Sequence, residues 1–476
     1  MTAKELNTIG LIGAGVMGSA LAMNIASRKL TISLYNRTYQ KSVHCQMMAK
    51  SENLDIMVFK EIADFVASLR RPRKVIVIVS SGTATDAVVE NLTKLLEPGD
   101  IVIDAANEFY RKTEERMKFV HGYGLLYLGM GVSGGESGAR YGPSLMPGGD
   151  REAYDAMEPI LQKIAAVNDV GVECVKYMGA GGAGHFVKMV HNGIEYGIME
   201  AIAEIYDILR KAMKYDNKQI SDMFKFFNSG RLDSYLCEIT SYVLEATNPD
   251  DPNSYLVDDV LDVAGAKGTG MWTSQESFRL GVPCPTICAA VDARNASSCR
   301  SARRKLATKY NAICRSDIAS QELTAEDFER ALYACYVLAF TQGVELIRKA
   351  SLEYNYDINL SDVFLVWERG CILRGRILKA LGPVVTQDCI LSSDYVVDVF
   401  RSSIPSLKGI LKLCLESGTA APALSSTANL LFALTDENCP MNLIQGLRDH
   451  FGAHTFFMKS DASKPLHANW VQSNWC

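Results

Sequence analysis

The sequence predicts an α/β fold: a doubly wound, mostly parallel sheet at the amino end, then a large all-α domain and a carboxyl-terminal tail. Three observations carry this expectation. Short apolar runs alternate with helix-periodic stretches up to about residue 180. A glycine motif, Gly13-Ala14-Gly15-Val16-Met17-Gly18, stands between the first two runs. Beyond Gly184 the strand pattern stops and long helical periodicity takes over. The expected boundaries are 1–180, 181–440 and 441–476.

Composition narrows the function classes. At 476 residues the chain is too long for a single core, and 48% hydrophobic with 22% charged residues is ordinary for a globular protein. Strand-like apolar runs such as 75–79 are too short to span a bilayer. A net charge of −5, with no Lys/Arg run interleaved with aromatics, argues against nucleic acid as a partner. The 13 cysteines form no CxxC pair and no secretory signal precedes the first strand, so reduced thiols in a cytoplasmic protein are expected.

The first strand reads Thr8 to Ile12, and the glycine motif follows at once. A helix with Leu21, Ile25 and Ala26 on its apolar side leads to a second strand at 30–35. Strand, glycines, helix and strand in this order form the dinucleotide-binding context of a Rossmann-like domain. Residues Gly13, Ala14, Gly15, Val16, Met17 and Gly18 are therefore candidate cofactor-binding residues, able to bring a pyrophosphate to the helix N-terminus. The second strand ends in Asn36-Arg37-Thr38 where an NAD enzyme usually carries an acid for the ribose 2′-hydroxyl. A cation between two small hydrogen-bonding residues predicts NADP, with Arg37 pairing with the 2′-phosphate.

Further strands are expected at 75–79, 100–104 and 125–128. Ligands of such sheets bind at the strand carboxyl ends. Asn107 and Ser133 fall there, within reach of a nicotinamide or substrate, although each is equally readable as an ordinary turn residue.

The second domain should start with one long helix at 184–213, with others at 256–280, 325–355 and 360–380. In the first, Lys188, His191, Asn192, Glu195 and Tyr196 stand at offsets of three, four, seven and eight, so they share one side as a polar stripe in an apolar helix. Lys188 and Glu195 lie about 10 Å apart along the axis, which suits a base and an acid flanking a small polar substrate; a solvated surface stripe is the competing reading. The glycines at 179–184 lack a Walker ending and read as an interdomain hinge and helix start. Gly265 to Gly270 offers Lys267 and Thr269 from a glycine-rich turn, a plausible phosphate clamp or else a mobile loop. Arg294 precedes Arg300, Arg303, Arg304 and Lys305, a run of the kind that usually forms a solvated face. His450 and His454 lack the ligands that would complete a metal site, and Gly452 between them weakens a helix. The tail has few apolar residues for a core of its own, so it is expected to pack against another surface, such as a partner subunit.

The motifs GAGVMG, NRT, GVSGGESGARYGPSLMPGG, GGAGHFVKMVHNGIEYG, AKGTGMWT, WERGCILR, LRDHFGAHT and HANW, in this order from Ile9 to Trp470, resemble the 6-phosphogluconate dehydrogenase family of the β-hydroxyacid dehydrogenases. The resemblance implies NADP-dependent, metal-independent oxidative decarboxylation in the pentose phosphate pathway. It implies Lys188 as base and then acid, and Glu195 as the second acid. Asn107, Ser133, Gly134, Gly135, His191 and Asn192 would hold the carboxylate and hydroxyls of the sugar acid. Tyr196, Lys267, Thr269 and Arg294 would hold its phosphate, with Arg448 and His454 reaching in from the other subunit of a homodimer. The chain departs from the family pattern at Ala105-Ala106 and Glu108, where Gly-Gly and a serine are usual, at Ser80-Ser81, and at Ile198. Extra bulk at Ala105-Ala106 and a negative charge at Glu108 bear on nicotinamide placement, and Ser80-Ser81 removes one possible cofactor contact. A shorter type of β-hydroxyacid dehydrogenase and a non-catalytic NADP-binding protein are the alternatives.

Overall fold

The computed structural model describes residues 6–316 and 322–470. Strands β1 (Ile9–Ile12), β2 (Ile32–Tyr35), β3 (Met57–Phe59), β4 (Lys74–Val77), β5 (Ile101–Asp104), β6 (Leu126–Ser133) and β7 (Ser144–Gly149) form one sheet in the order β3-β2-β1-β4-β5-β6-β7. Every pairing is parallel except β6 with β7. Helices α1 (Val16–Ser27), α2 (Tyr39–Ser51), α3 (Ile62–Ala67), α4 (Thr83–Thr93), α5 (Tyr110–His121), α6 (Gly135–Tyr141) and α7 (Arg151–Ile164) alternate with the strands. Successive strand residues face opposite layers: Ile9, Leu11, Ile76 and Ile103 pack with Leu21 and Ile25, while Val75, Val77 and Val102 pack with Leu92 and Val120. Both faces of the sheet are covered, as a parallel sheet of near-continuous Val, Ile and Leu requires.

The helical part comprises α8 (Ala183–Lys211), α9 (Asn217–Ser229), α10 (Tyr235–Glu245), α11 (Leu256–Asp259), α12 (Thr269–Leu280), α13 (Pro285–Ser298), α14 (Arg300–Cys314), α15 (Ala325–Tyr354), α16 (Leu360–Trp367), α17 (Arg376–Leu381), α18 (Asp394–Ser417) and α19 (Pro422–Leu434). Its centre is the pair α8 and α15, buried along most of their length. A capping box of Thr324 and Asp327 starts α15, and Asn355 ends it in the left-handed conformation. Among the described residues no helix is long and apolar enough to cross a membrane, and every described cysteine is free.

Three expectations need correction. The helix expected over 256–280 is two helices separated by residues 260–268, because the glycine-rich turn interrupts it. The helix expected over 360–380 breaks between Trp367 and Arg376, at a stretch that includes Gly370 and Gly375. The helical part also carries an antiparallel pair, β8 (Thr247–Asn248) and β9 (Asp251–Tyr255).

The glycines at 179–184 form a tight seam rather than a loose hinge. A Cβ at Gly184 would lie 2.2 Å from the carbonyl oxygen of Gly129, and one at Gly148 would lie 2.4 Å from the nitrogen of Gly184. On β6, a Cβ at Gly131 would lie 2.4 Å from the Lys188 Cβ. The first turns of α8 therefore rest directly on the backbones of β6 and β7.

Through Thr427 the chain is one compact unit, and from Ala428 onward a second. The second holds α20 (Met441–Gly452) and a hairpin of β10 (Phe456–Met458) and β11 (Asp461–Leu466). Gly452 does not prevent the helix but closes it, with Ala453 in the left-handed conformation. Its centre is polar: the buried Asp449 carboxylate accepts hydrogen bonds from the Thr455 nitrogen at 2.9 Å, the Ala468 nitrogen at 3.1 Å and the Trp470 Nε1 at 2.8 Å.

Candidate active site

At the carboxyl ends of β1, β2, β4 and β5 lies a cavity of about 730 Å³ lined by Gly13, Gly15, Arg37, Ser80, Ala105 and Asn107, among others. The glycines divide the work. A Cβ at Gly13 would strike the Ile78 carbonyl oxygen at 2.2 Å, and one at Gly18 the Gly13 oxygen at 1.9 Å, so both are demanded by packing. A Cβ at Gly15 would meet no protein atom within 4 Å, which leaves that backbone facing the cavity. Asn36 Oδ1 accepts from the Ala14 nitrogen at 3.0 Å and Asn36 Nδ2 donates to the Thr38 carbonyl at 2.9 Å, tying the strand end to the glycine turn. Val16, Met17 and Thr38 complete this wall. Arg37 is exposed and has no acidic partner among the described residues. A backbone cradle beside an uncommitted guanidinium fits a dinucleotide carrying an extra phosphate.

The stripe on α8 is internally bonded, with Lys188, His191 and Tyr196 buried and Asn192 and Glu195 half-buried. Lys188 Nζ donates to Asn192 Oδ1 at 2.9 Å and lies 3.5 Å from His191 Nδ1. The Glu195 carboxylate lies 3.8 Å from that same nitrogen. The two groups spaced along the helix axis thus turn their heads toward one imidazole. His191 Nδ1 and Asn192 Oδ1 are 3.0 Å apart, and the amide oxygen can only accept, so the proton sits on Nδ1. Nε2 is left to accept from the Ser133 hydroxyl at 3.4 Å. Asn192 Nδ2 donates to Thr269 Oγ1 at 3.2 Å, linking the stripe to the first turn of α12.

Burial governs the charges. It lowers the Lys188 amine below the ordinary lysine range, an effect only partly offset by Glu195. It raises the Glu195 carboxyl against the opposing pull of Lys188 and Arg294. His191 is held well below its ordinary value, by burial first and by Lys188 second. Burial thus shifts all three groups of the cluster toward their uncharged forms.

The expected phosphate-binding residues gather beside it in part. Arg294 lies over the Tyr196 ring, 3.6 Å from its centroid, and donates to the Gly265 carbonyl at 2.8 Å. Lys267 is exposed in the turn before Thr269. Arg300 and Arg303 lie on a solvated face, as expected, and pair there with Asp262. Gly134, in the left-handed conformation, approaches the WERGC loop so closely that a Cβ would lie 2.5 Å from the Gly370 oxygen. Gly135 opens α6. Trp367, the last residue of α16, packs against His191, with ring centroids 5.5 Å apart. Asn107 is exposed at the cavity edge, and, two residues on, the Phe109 ring packs at a tilt against Trp272 of α12, centroids 5.5 Å apart. Arg448 and His454 belong to the second compact unit, where Arg448 donates to Gln445 and His454 contacts Phe451.

Two family models span nearly the whole chain. The NAD binding domain of 6-phosphogluconate dehydrogenase matches residues 8–179, and the 6-phosphogluconate dehydrogenase C-terminal domain matches residues 184–470. The chain belongs to the 6-phosphogluconate dehydrogenase family. It is 40% identical over 466 residues to the decarboxylating 6-phosphogluconate dehydrogenase of Lactococcus lactis subsp. cremoris, covering 97% of this chain and 98% of that one. It is 40% identical over 481 residues to decarboxylating 6-phosphogluconate dehydrogenase 2 of Arabidopsis thaliana, covering 99% and 98%. Among solved structures it superposes on Plasmodium falciparum 6-phosphogluconate dehydrogenase, studied in its apo form and with NADP+ or 6-phosphogluconate, with a TM-score of 0.92 and 40% identity over 97% of this chain and 100% of that chain. The shorter type of β-hydroxyacid dehydrogenase gives way, because the second family model continues to residue 470.

In this family member Glu108 does not line the dinucleotide cavity. Glu108 is buried, and its Oε2 accepts from Arg116 Nη1 at 2.7 Å and from the Gly82 nitrogen at 2.8 Å. Its charge is met by a buried cation instead of facing the cavity. Sequence reading missed Arg116 and Asp449 and gave the WERGCILR motif no role. Asp449 had a local signal in its place between Arg448 and His450.

Proposed function

We propose that this protein catalyses the NADP-dependent oxidative decarboxylation of 6-phospho-D-gluconate to D-ribulose 5-phosphate and CO2. The observation that carries this is the cluster on α8: a buried lysine with lowered basicity and a carboxyl with raised basicity meeting at His191, beside a cavity built for a dinucleotide. Gly13 to Gly18 would hold the pyrophosphate of NADP, and Asn36, Arg37 and Thr38 its 2′-phosphoribose. Bound NADP supplies the acceptor for the hydride from C3 of the sugar acid.

The neutral Lys188 takes the 3-hydroxyl proton during oxidation, leaving a β-keto acid. As CO2 departs, the electron pair of the broken bond moves toward the carbonyl oxygen, and the lysine cation returns its proton there. Glu195 then delivers a proton to C1 of the enediol while the neutral Lys188 takes back the proton of the enol hydroxyl, which leaves the ketone of the pentulose phosphate. Asn192 and His191 orient the lysine, while Ser133, Gly134, Gly135 and Asn107 present hydroxyl and backbone donors to the carboxylate. Tyr196, Lys267, Thr269 and Arg294 bind the phosphate.

The reading extends to a cytoplasmic homodimer in which residues 1–180 bind the dinucleotide, 181–440 dimerise, and the tail from 441 brings Arg448 and His454 to the phosphate in the partner's site. Supporting it, α14 has no buried residue and exposes Leu306, Tyr310 and Ile313 along one side. A lone helix of this length is marginal in water and calls for a covering surface. The test mixes purified protein with 6-phosphogluconate and either NADP or NAD, following reduced nicotinamide and CO2 together. Equal amounts of both with NADP, and little with unphosphorylated gluconate, is the expected result. Dinucleotide binding without turnover would overturn the catalytic reading.

A further inference from the structure

The two loops that close the dinucleotide cavity at the ends of β4 and β5 share no main-chain ladder beyond those strands, yet they are tied together by side chains. Ser80, Ala84 and Ala87 line one wall, and Ala105, Ala106 and Asn107 line the other. Behind them lies Arg116 of α5, buried to the tip. Its Nη1 donates to Asp104 Oδ2 at 2.9 Å and to Glu108 Oε2 at 2.7 Å, its Nε donates to Asp86 Oδ1 at 2.7 Å, and its Nη2 donates to the Gly82 carbonyl at 3.0 Å. Glu108 closes the circuit. One carboxylate oxygen accepts from the Gly82 nitrogen at 2.8 Å and the other from the Phe109 nitrogen at 2.9 Å. Gly82, at φ 80, is thus gripped at both its N–H and its C=O by groups belonging to the opposite wall.

We propose that Glu108 is a positioning residue for the dinucleotide, holding Gly82 and with it the Ser80–Ala87 wall at a set separation from Asn107. The inference rests on the reading of this cavity as the NADP site. Without the carboxylate the Gly82 nitrogen loses its acceptor and the β4–α4 turn is held only through Arg116. Ordering that turn then falls to the ligand, and dinucleotide affinity drops by the cost of ordering. A serine, which the family usually carries here, is two bonds shorter than glutamate and does not span from residue 108 to both Gly82 and Arg116. The clamp stands behind the wall formed by Ala105, Ala106 and Asn107. Because Arg116 keeps Asp104 and Asp86 when Glu108 is removed, the fold is expected to survive the change.

The test compares wild type with Glu108→Ala, Glu108→Ser and Glu108→Gln by titration calorimetry with NADP alone, and by hydrogen exchange at Gly82 to Asp86. Ala and Ser are expected to weaken NADP binding about tenfold and to speed exchange at Gly82, with the KM for 6-phosphogluconate unchanged. Gln retains the acceptor for Gly82 and should stay within about twofold of wild type. Should Ala or Ser not fold, Gln against wild type in the exchange measurement still decides, since faster exchange at Gly82 with the acceptor retained would overturn the proposal. Unchanged NADP affinity and unchanged exchange in Glu108→Ala would overturn it as well, as would an equal loss of sugar-phosphate affinity. Failure of wild type to bind NADP would instead remove the reading of the cavity.

Discussion

Replacing Gly131 with alanine tests how the sheet places the proposed catalytic lysine. The added Cβ would lie 2.4 Å from the Lys188 Cβ and 2.9 Å from its Cγ. Non-bonded carbons settle at about 3.5–4.0 Å, so helix or lysine stem must shift by roughly 1 Å. The helix has no slack toward the sheet, since a Cβ at Gly184 would already fall 2.2 Å from the Gly129 oxygen. Overpacking of this kind costs about 1–3 kcal/mol of stability. A displacement of about 1 Å at a reacting group costs about 100-fold in rate, equivalent to about 2.7 kcal/mol of transition-state stabilisation. Steady-state kinetics with 6-phosphogluconate and NADP, run beside urea unfolding and NADP titration, separates the effects. The expected outcome is a folded protein that binds NADP normally, because Gly131 does not line that cavity, but turns over about 100-fold more slowly. A variant with kcat within about threefold of wild type would refute the argument that the glycine seam positions Lys188.

Other outcomes follow from the same geometry. Lys188→Met should lower kcat by at least about 1,000-fold while NADP affinity, measured by calorimetry, is retained. Arg37→Ala should weaken NADP binding about 10- to 100-fold and leave NAD binding unchanged, since the proposed partner of the guanidinium is the extra phosphate that NAD lacks. The pH profile of kcat should be bell-shaped. Activity falls at low pH as the amine of Lys188, lowered from the usual lysine range, takes up a proton, and falls at high pH as the raised carboxyl of Glu195 loses one; Glu195→Gln should lower kcat and abolish the alkaline limb. Arg448→Ala should raise the KM for 6-phosphogluconate, and mixing it with Lys188→Met should restore part of the activity in hybrid dimers, because one site then has both residues intact. No recovery on mixing would place Arg448 on its own subunit's site.

What was legible in the sequence is what depends on neighbours along the chain. The offsets among Lys188, His191, Asn192, Glu195 and Tyr196 put them on one helix face whatever the helix packs against, because 3.6 residues per turn is a backbone property. The glycine motif and Arg37 are equally local, lying within one strand-turn-helix-strand unit. Charge and separation are not local. Glu108 reads as an intruding negative charge until topology brings Arg116 behind it, and Lys188 and Glu195 read as distant until their side chains turn toward His191. The glycines at 179–184 read as a hinge because flexibility is the intrinsic property of glycine, whereas their use here is absence of bulk against β6 and β7. The sequence by itself determined the fold class, the dinucleotide motif and the polar stripe, since periodicity and motif spacing arise from short-range backbone geometry. Only the tertiary structure decided which charges are neutralised and how closely the lysine approaches the sheet, because electrostatics and packing depend on atoms that the chain brings together from far apart.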